Sequence, residues 1–426
     1  MFSTLRDAFK VEDLRKKIIF TLLMFVVIRI GAAVPIPGID NALLQNLFAQ
    51  NELDLVGMLD AFSGGAFKNM TLFALGIIPY INSSIIMNLL TIAIPALEEM
   101  QKEGEDGRKK IAKITRFGTI GLAVVQAVAI SISLRSMFVS YDIFSVVVAV
   151  VAMTAGTAFL MWIGERITEN GIGNGISLII VVNIVSRLPT GFTLLVNLVK
   201  GGQYIELISI LLLFLAMVVV VVLIQLGERR INVQYAKRVQ GRKVYGGQST
   251  HIPLKVNMAG VIPVIFASSL LQFPSIITRF FVADPNGWWG TVLNWINYYS
   301  IKSNYGVGAL LYFLLVIGFA YFYTAIIFNP FEVANNLKKN GGFILGIRPG
   351  RPTVDYLTNI LNRMVFIGGS ILGLIAVAPI LISFITSVQI NFGGTSLIIV
   401  VGVALETVKQ IEAQLVMRHY KGFLNS

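Results

Sequence analysis

Cysteine is absent from this chain of 426 residues, which excludes a disulfide framework and any thiol chemistry. Histidine occurs only at His251 and His419. Charged residues make up 13% of the chain, whereas soluble domains carry about 25%. Hydrophobic residues reach 55%, and the mean hydropathy is +0.77. So few charges in so apolar a chain indicate a protein whose solvent is the lipid bilayer.

Catalytic signatures are also missing. The glycine-rich stretch at 341–350 (GGFILGIRPG) is not followed by Lys-Ser or Lys-Thr, so it does not predict a phosphate-binding loop. No group of His, Asp or Glu has metal-ligand spacing, and no serine lies in a nucleophile-elbow motif. We therefore expect no enzyme activity and no cofactor. Any energy for the chain's work must come from a partner or a gradient.

Ten apolar segments are long enough, or nearly so, to cross a bilayer, which takes about 20 residues. They are longer and more continuous than the alternating strands of a membrane barrel, so they predict helices. The predicted fold is therefore all-α and polytopic, with spans at residues 18–34, 71–94, 117–138, 144–164, 174–188, 206–226, 259–282, 307–328, 364–386 and 395–412.

The basic residues are unevenly distributed between the two ends of these spans. Ten spans place both termini on one side, and that side holds 27 of the 34 Lys and Arg residues. The positive-inside rule predicts that this side is cytoplasmic. The net charge of +12 is then a cytoplasmic surface, suited to anionic lipid, RNA or an acidic protein.

The remaining segments divide the chain into two halves with extensions. Residues 1–17 predict an amphipathic helix on the cytoplasmic face, and residues 413–426 a cytoplasmic tail. An external hinge loop at 189–205 is expected between the half at 18–188 and the half at 206–412. Each half holds five spans.

Two long cytoplasmic loops, at 227–258 and 329–363, are rich in basic residues. A solute carrier would not need two such projections, which favours a docking role, although the positive-inside rule alone also accounts for the charge. The residues considered for docking are Arg229, Arg230, Lys237, Arg238, Arg242, Lys243 and Arg348.

Two stretches of the chain occur twice. Residues 76–86 (GIIPYINSSII) match 260–270 (GVIPVIFASSL), and residues 175–182 (GISLIIVV) match 394–401 (GTSLIIVV). These matches relate the second span to the seventh and the fifth to the tenth. Because each half has five spans, similar halves must have opposite orientations. This predicts an inverted-repeat architecture with a path between the halves.

Isoleucines fall at related positions of the repeats. Ile81 corresponds to Ile265 and Ile180 to Ile399, while Ile77 lies one turn from Ile81. A pseudo-two-fold axis would bring these side chains together at mid-depth. A ring of branched aliphatic side chains closes a pore by steric contact and dewetting, without binding a solute. The same residues equally suit lipid-facing or core positions, and the sequence leaves that alternative open.

Polar residues lie on the spans near these isoleucines, at Asn82, Gln126, Ser268 and Gln272. Buried amides and hydroxyls bond across helix contacts at about 0.6–2 kcal/mol each, so a seam held by them can open. Ordinary interhelical contacts use the same residue types. Pro79 and Pro263 are expected to kink their helices, which would suit a gate.

Ionisable residues within the spans are few. Arg29 lies near the external end of the first span and Glu406 near the cytoplasmic end of the tenth. Local structural pairing is the favoured interpretation of both. A proton-coupled carrier would need acidic groups nearer mid-membrane, and the sequence offers none there.

Motifs in order along the whole chain resemble the SecY family of bacterial protein-conducting channels. The motifs are PIPGID at 35–40, FSGGA at 62–66, FALGIIPYI at 73–81, FLMWIGERITENGIGNGIS at 159–177, VYGGQSTHIPLKVNMAGVIPVIFASS at 244–269 and FGGTSLIIVVGVALE at 392–406. The resemblance implies a clamshell of two five-helix halves around an hourglass-shaped pore, placed in the bacterial plasma membrane.

The resemblance also implies site residues. It places a pore ring at Ile77, Ile81, Ile180, Ile265 and Ile399. It places a plug, a short helix that blocks the external funnel at rest, at Leu55–Asn69, including Leu55, Gly57, Met58, Leu59, Phe62, Gly64 and Gly65. It places a lateral gate, into which a signal sequence intercalates, at the seam with Asn82, Gln126, Ser268 and Gln272.

Partners follow from the same resemblance. The two basic loops are expected to dock the SecA motor or the ribosome. Arg348 matches a loop arginine important for SecA-driven work, and Arg242 and Lys243 match a basic tip that meets the ribosome. The small membrane subunits SecE and SecG, accessory membrane proteins, signal sequences and secretory polypeptides complete the implied set.

Two functions compete on these observations. The first is a passive protein-conducting channel driven by partners, and the second is a secondary transporter for a small solute, which also uses ten spans in inverted repeats. An enzyme of the membrane interior, such as a protease, is a distant third. The basic loops, the apolar ring and the missing mid-membrane carboxylate favour the channel.

Overall fold

The N-terminal half is a set of helices joined by tight turns. The computed structural model describes residues 2–40, 43, 60, 62–235, 238–240, 243–245, 249–278, 287–296, 306–386 and 394–424. In the first half the helices are α1 (Phe2–Lys10), α2 (Glu12–Gly31), α3 (Ile78–Ala93), α4 (Pro95–Lys102), α5 (Glu105–Ser133), α6 (Ile143–Asn170) and α7 (Gly175–Val185).

The C-terminal half adds helices and two small sheets on one side. Its elements are α8 (Leu188–Lys200), α9 (Tyr204–Leu226), β1 (Glu228–Tyr235), β2 (Arg238–Gln240), β3 (Lys243–Tyr245), β4 (Ser249–Lys255), α10 (Ile262–Thr278), α11 (Trp288–Ile296), α12 (Val307–Ile327), α13 (Pro330–Lys339), β5 (Gly342–Ile344), α14 (Arg351–Thr386) and α15 (Gly394–Leu424).

Each of the ten predicted spans coincides with a helix. By length and apolar composition, α5, α6, α9, α12 with α13, α14 and α15 are each able to cross a bilayer. The pair α3 and α4, bent by 100° where Pro95 follows Ile94, adds a seventh. The helix α2 begins with a charged turn, and α7 has only 11 residues. Buried side chains such as Ile179 and Ile180 show that neighbouring helices cover α7.

The two halves touch along the repeated segments. The helix α3 packs against α10, which also contacts α5, and α7 packs against α15. The second span therefore meets the seventh, and the fifth meets the tenth. One continuous cluster of buried apolar residues runs through these contacts, from Ile28 in α2 to Val403 in α15. This arrangement confirms the pairing of halves that the repeats predicted.

Several boundaries differ from the predicted ones. The expected loop at 189–205 is helical over Leu188–Lys200, because Pro189 lies in the first helical turn, where a proline needs no N–H partner. The N-terminal helix ends at Lys10, and the first span begins at Glu12. The last two helices extend beyond the predicted spans, α14 from Arg351 and α15 to Leu424, so the second basic loop and the tail are shorter than expected.

The two basic loops, at 227–258 and 329–363, share a three-stranded antiparallel sheet of order β4–β1–β5. Ile231 pairs with Ile252 between β1 and β4, and Val233 pairs with Ile344 between β1 and β5. The apolar side of this sheet packs on Leu337 of α13 and on the start of α14. The loops thus form one small domain with its own core.

Candidate functional site

The five predicted ring isoleucines are all buried. Their exposed fractions are 0% for Ile77, 6% for Ile81, 2% for Ile180, 6% for Ile265 and 0% for Ile399. All five belong to the cluster that joins the halves, and Phe62, from the described part of the expected plug, belongs to it too. These side chains come from four helices, α3, α7, α10 and α15, with Ile77 lying directly before α3.

The ring helices α3 and α10 begin in the same way. Gly76 and Gly260, a repeat pair, both adopt a left-handed conformation, with φ of +57° and +65°. Such a φ suits glycine, and it turns the chain directly before each helix. Pro79 lies in the first turn of α3 and Pro263 in that of α10. The prediction that these prolines kink their helices is therefore wrong: α3 begins at Ile78 and α10 at Ile262, so each proline lies in the first turn, where it interrupts no helix.

The other ring helices, α7 and α15, also begin alike. A methyl group added to Gly175 would overlap the carbonyl oxygen of Gly164 in α6, and one added to Gly394 would overlap that of Ile375 in α14. Only glycine permits this close approach of backbones. Asn174 caps α7 by accepting from the backbone N–H groups of Ile176 and Ser177 at 3.1 and 3.3 Å. Ile180 and Ile399 each follow the first glycine of their helix by five residues and so occupy equivalent positions in the two helices.

The predicted gate residues lie on three helices that meet. The helix α10 packs against both α3 and α5. The exposed fractions are 6% for Asn82, 4% for Gln126, 0% for Ser268 and 3% for Gln272. The structure therefore buries all four residues in or near the contact of the two halves.

Hydrogen bonding at this contact differs from the expectation. The amide nitrogens of Asn82 and Gln126 have no hydrogen-bond partner in the described part of the chain. Ser268 Oγ donates within its own helix, to the carbonyl oxygen of Ile265 at 2.8 Å. Ser83 Oγ donates to the carbonyl oxygen of Thr115 at 2.8 Å and joins α3 to α5 on the same side. The two amide nitrogens leave the seam less strongly bonded than a satisfied network would.

Two ion pairs within the N-terminal half were missed by the sequence reasoning. Arg116 Nε donates to Glu165 Oε1 at 2.6 Å and joins α5 to α6. Arg187 Nη2 lies 3.3 Å from Asp60 Oδ2, and the Asp60 side chain is 3% exposed. No local pattern identifies either pair, because Arg116 and Glu165 lie at the ends of predicted loops and Asp60 and Arg187 are far apart in the chain. Glu406, expected to pair locally, is exposed.

Part of the expected plug is described. Leu55, Gly57, Met58 and Leu59 lie outside the described residues, whereas Phe62, Gly64 and Gly65 lie within them. The carbonyl oxygen of Phe62 accepts from Asn183 Nδ2 at 2.9 Å, and Asn183 Oδ1 accepts from Arg29. Arg29 therefore has a partner inside the protein, as local pairing predicted.

The expected docking residues lie on and beside the shared sheet. Arg229 and Arg230 are exposed on β1, and Arg348 is exposed in the turn after β5. Arg238 and Lys243 belong to β2 and β3, which pair with each other, whereas Lys237 and Arg242 lie outside the described residues. Arg230 donates to Glu228 Oε1 at 2.7 Å, and this bond lowers the pKa of the Glu228 carboxyl.

Comparison with known families and structures agrees with this geometry. The SecY family model matches residues 71–408. The chain belongs to the SecY family. Its relatives include the protein translocase subunit SecY of Streptomyces galbus, 46% identical over 441 residues, and that of Halalkalibacterium halodurans, 47% identical over 443 residues. Each comparison covers 100% of both chains.

Solved structures share the fold at lower identity. A protein-conducting channel matches with a TM-score of 0.66 and 18% identity over 94% of this chain and 93% of that chain. A SecY structure, whose plug domain stabilises the closed state and maintains a membrane seal in that protein, matches with a TM-score of 0.65 and 18% identity over 94% and 92%. Sec61 of a canine ribosome–channel complex gives 0.63 and 17% over 94% and 93%. The chain is thus a multi-pass membrane protein with the channel fold of its family.

Proposed function

We propose that this chain is the central subunit of a protein-conducting channel in the bacterial plasma membrane, with both termini in the cytoplasm. It passes unfolded secretory polypeptides across the membrane and releases transmembrane segments sideways into the lipid. The observation that carries this proposal is the ring: five isoleucines from both halves lie in one buried apolar cluster where the repeated segments meet.

An apolar ring favours a polypeptide over a small solute as cargo. Its side chains offer no polar atom to bind a solute or to replace the water around an ion. They can make contact with an extended chain of any sequence, because apolar contact needs no matched donor or acceptor. A solute transporter would instead need a polar binding site at the interface between its repeats. At ring level the five candidate residues are all isoleucine.

The lateral gate is proposed at the contact of α10 with α3 and α5. Ile86 on α3 and Leu270 on α10 lie close in sequence to the buried gate residues. Their side chains are 40% and 46% exposed, on faces suited to lipid. The unpaired amide nitrogens of Asn82 and Gln126 gain hydrogen-bond partners when the seam opens to water or to a polypeptide. That gain supports a contact that is closed at rest and able to open.

Partners supply the driving force in this proposal. The exposed arginines of β1 and the turn with Arg348 suit an acidic protein surface, such as one on the SecA motor ATPase, or the RNA phosphates of the ribosome. A ribosome-bound relative supports the second of these. We further propose SecE and SecG as small subunits beside this chain, with accessory membrane proteins and anionic lipid around it.

A charge reversal tests the docking surface. Arg348→Glu should impair SecA-driven export more than ribosome-coupled insertion, because it places a negative charge on the turn that meets the motor. Arg351→Glu, three residues away and equally exposed, is the matched control. Export and insertion are measured in the same membranes. Equal loss of both activities would point to misfolding and would contradict the assignment.

Site-specific photocrosslinking tests the channel itself. Photoreactive residues at Ile81, Ile180, Ile265 and Ile399 are combined with a stalled secretory chain that carries a signal sequence. Adducts to its translocating segment at all four positions are expected, and probes at the exposed Ile86 and Leu270 serve as controls. If an engaged substrate gives adducts at the controls but none at the ring, the pore does not run through the ring, and the solute-transporter alternative regains support.

A further inference from the structure

The C-terminal end of the expected plug, which the structure describes, is held in place by polar contacts as well as apolar ones. Asp60 and Ser63 are 2% and 1% exposed, and Ser63 Oγ accepts from the backbone N–H of Phe67 at 3.0 Å. Asp60 Oδ1 accepts from the backbone N–H of Lys68 at 2.8 Å. One carboxylate oxygen of Asp60 thus closes the turn of this segment, and the other is left for a partner outside it.

The partner of this second oxygen is Arg187, just after the helix of the fifth span. Arg187 follows α7 directly, and its Nη2 lies 3.3 Å from Asp60 Oδ2. The Asp60 side chain is 3% exposed and the Arg187 side chain 26% exposed, so the pair is mostly shielded from water. A carboxylate buried to this degree needs a cation nearby, because desolvation of an uncompensated charge is strongly unfavourable. The pair therefore holds the segment to α7 as long as both charges stay in place.

A second tie uses Asn183, one turn earlier in the chain. Its Nδ2 donates to the carbonyl oxygen of Phe62 at 2.9 Å, and its Oδ1 accepts from Arg29 of α2. A guanidinium can only donate, so Arg29 fixes the orientation of the Asn183 amide and aims its NH₂ group at Phe62. Gly64 fits closely against this site, because a methyl group there would lie 2.9 Å from the Cα of Asn183.

We call these contacts between the plug end and α7 the latch. We propose that Asp60, Asn183 and Arg187, with Arg29 as the positioning residue of Asn183, hold the C-terminal end of the plug to α7 and so determine how strong a signal sequence must be to open the channel. The inference rests on the proposed channel function and adds to it the residues that set its selectivity. A signal sequence opens the channel only if its binding outweighs the loss of both ties.

The test compares two precursors in cells that contain this chain as their only copy, within its normal complex. One precursor has an intact signal sequence and the other a defective one. Asp60→Ala, Arg187→Ala and Asn183→Ala should each raise export of the defective precursor severalfold while export of the intact precursor is retained. Exchange of the charges, Asp60→Arg with Arg187→Asp, should restore part of the discrimination. Lys200→Ala, at an exposed basic position, is the control.

A deletion separates a latch from a general structural role. In a chain that lacks residues 55–69, Arg187→Ala should have no additional effect on the defective precursor, because the latch acts only through the plug. Additional loss of discrimination in that background would overturn the proposal. If the alanine variants fail to accumulate, Arg187→Lys and Asp60→Asn decide the matter, and each should loosen discrimination to a smaller degree.

The outcomes also separate the two proposals. Discrimination as strict as that of the wild type in all latch variants, with normal export of the intact precursor, would overturn the latch and leave the channel function standing. Failure of the wild-type chain to export the intact precursor would instead count against the channel function itself.

Discussion

The 11-residue helix α7 and the residues just after it carry two contrasting sites. Ile180 contributes to the apolar ring, where the contacts have no direction and no charge. Asn183 and Arg187, one and two turns further on, bind the plug end through directed polar contacts. The ring can therefore close around a chain of any sequence, whereas the polar site holds one particular segment in one particular position. In the proposed channel, sealing and selectivity would therefore depend on neighbouring surfaces of opposite chemistry.

The largest expected effect comes from removing the ring contacts. Ile81→Gly with Ile265→Gly should change the resting channel from sealed to ion-conducting, because the ring loses two side chains that exclude water. Conductance of the complex in planar bilayers measures this. Ile86→Gly with Leu270→Gly removes exposed side chains from the same two helices and should leave the bilayer sealed. Unchanged conductance in the ring variant would contradict the ring assignment.

A substitution at the start of α7 should disturb both the ring and the plug contacts, because this helix carries residues of both. Gly175→Ala forces α7 away from the backbone of α6, and overpacking of this kind costs about 1–3 kcal/mol. The thermal midpoint of the purified complex should fall, and both the ion seal and the signal-sequence discrimination should weaken. Gly318→Ala in α12, which faces open space, is the control. A seal that weakens without any change in discrimination would show that the two sites do not depend on a common helix position.

A substitution at the gate seam should strengthen the closed state, whereas the substitutions above weaken it. Asn82→Leu replaces an amide whose buried nitrogen lacks a partner, and such a group costs about 1–3 kcal/mol. The closed state should become more stable, so export of a weak-signal precursor should fall by about fivefold or more, since 1.4 kcal/mol corresponds to a factor of ten. Asn88→Leu on the same helix is the control. An increase in weak-signal export would contradict the role of Asn82 in the closed seam.

The smallest effect is expected at Ser186. Its Oγ donates to the carbonyl oxygens of Asn183 at 2.7 Å and Gly64 at 3.3 Å, a neutral contact worth about 0.5–1.5 kcal/mol. Ser186→Ala should therefore loosen signal-sequence discrimination less than Arg187→Ala does in the same export assay. Equal effects of the two variants would show that charge is not what holds the plug end.

The repeats made much of the fold predictable. Matching segments related the second span to the seventh and the fifth to the tenth and predicted a path between the halves, and in the structure the helices of each related pair are in contact. Repetition also accounts for Gly76 and Gly260, whose left-handed backbones begin the two ring helices. The proline kinks were predicted wrongly, because a proline pattern does not reveal whether the helix starts before or at the proline.

The polar ties at the plug end could not be predicted from local patterns. Arg29 and Asn183 are 154 residues apart, and Asn183 and Phe62 are 121 apart, so no helical or strand period relates them. Arg116 and Glu165 were assigned to the ends of loops, because span boundaries drawn from hydropathy exclude charged residues. Composition indicates that such charges need partners, but only the tertiary fold determines which partners they have.

The start of α3 and α10 at the ring has an electrostatic consequence. Ile81 and Ile265 are each the fourth residue of their helix, so both side chains lie at helix N-termini. Each N-terminus is equivalent to roughly half a positive elementary charge. These two helix ends therefore place partial positive charge beside the predicted ring, although the ring side chains are apolar. We therefore expect any small ion that passes beside a translocating chain to be an anion in preference to a cation.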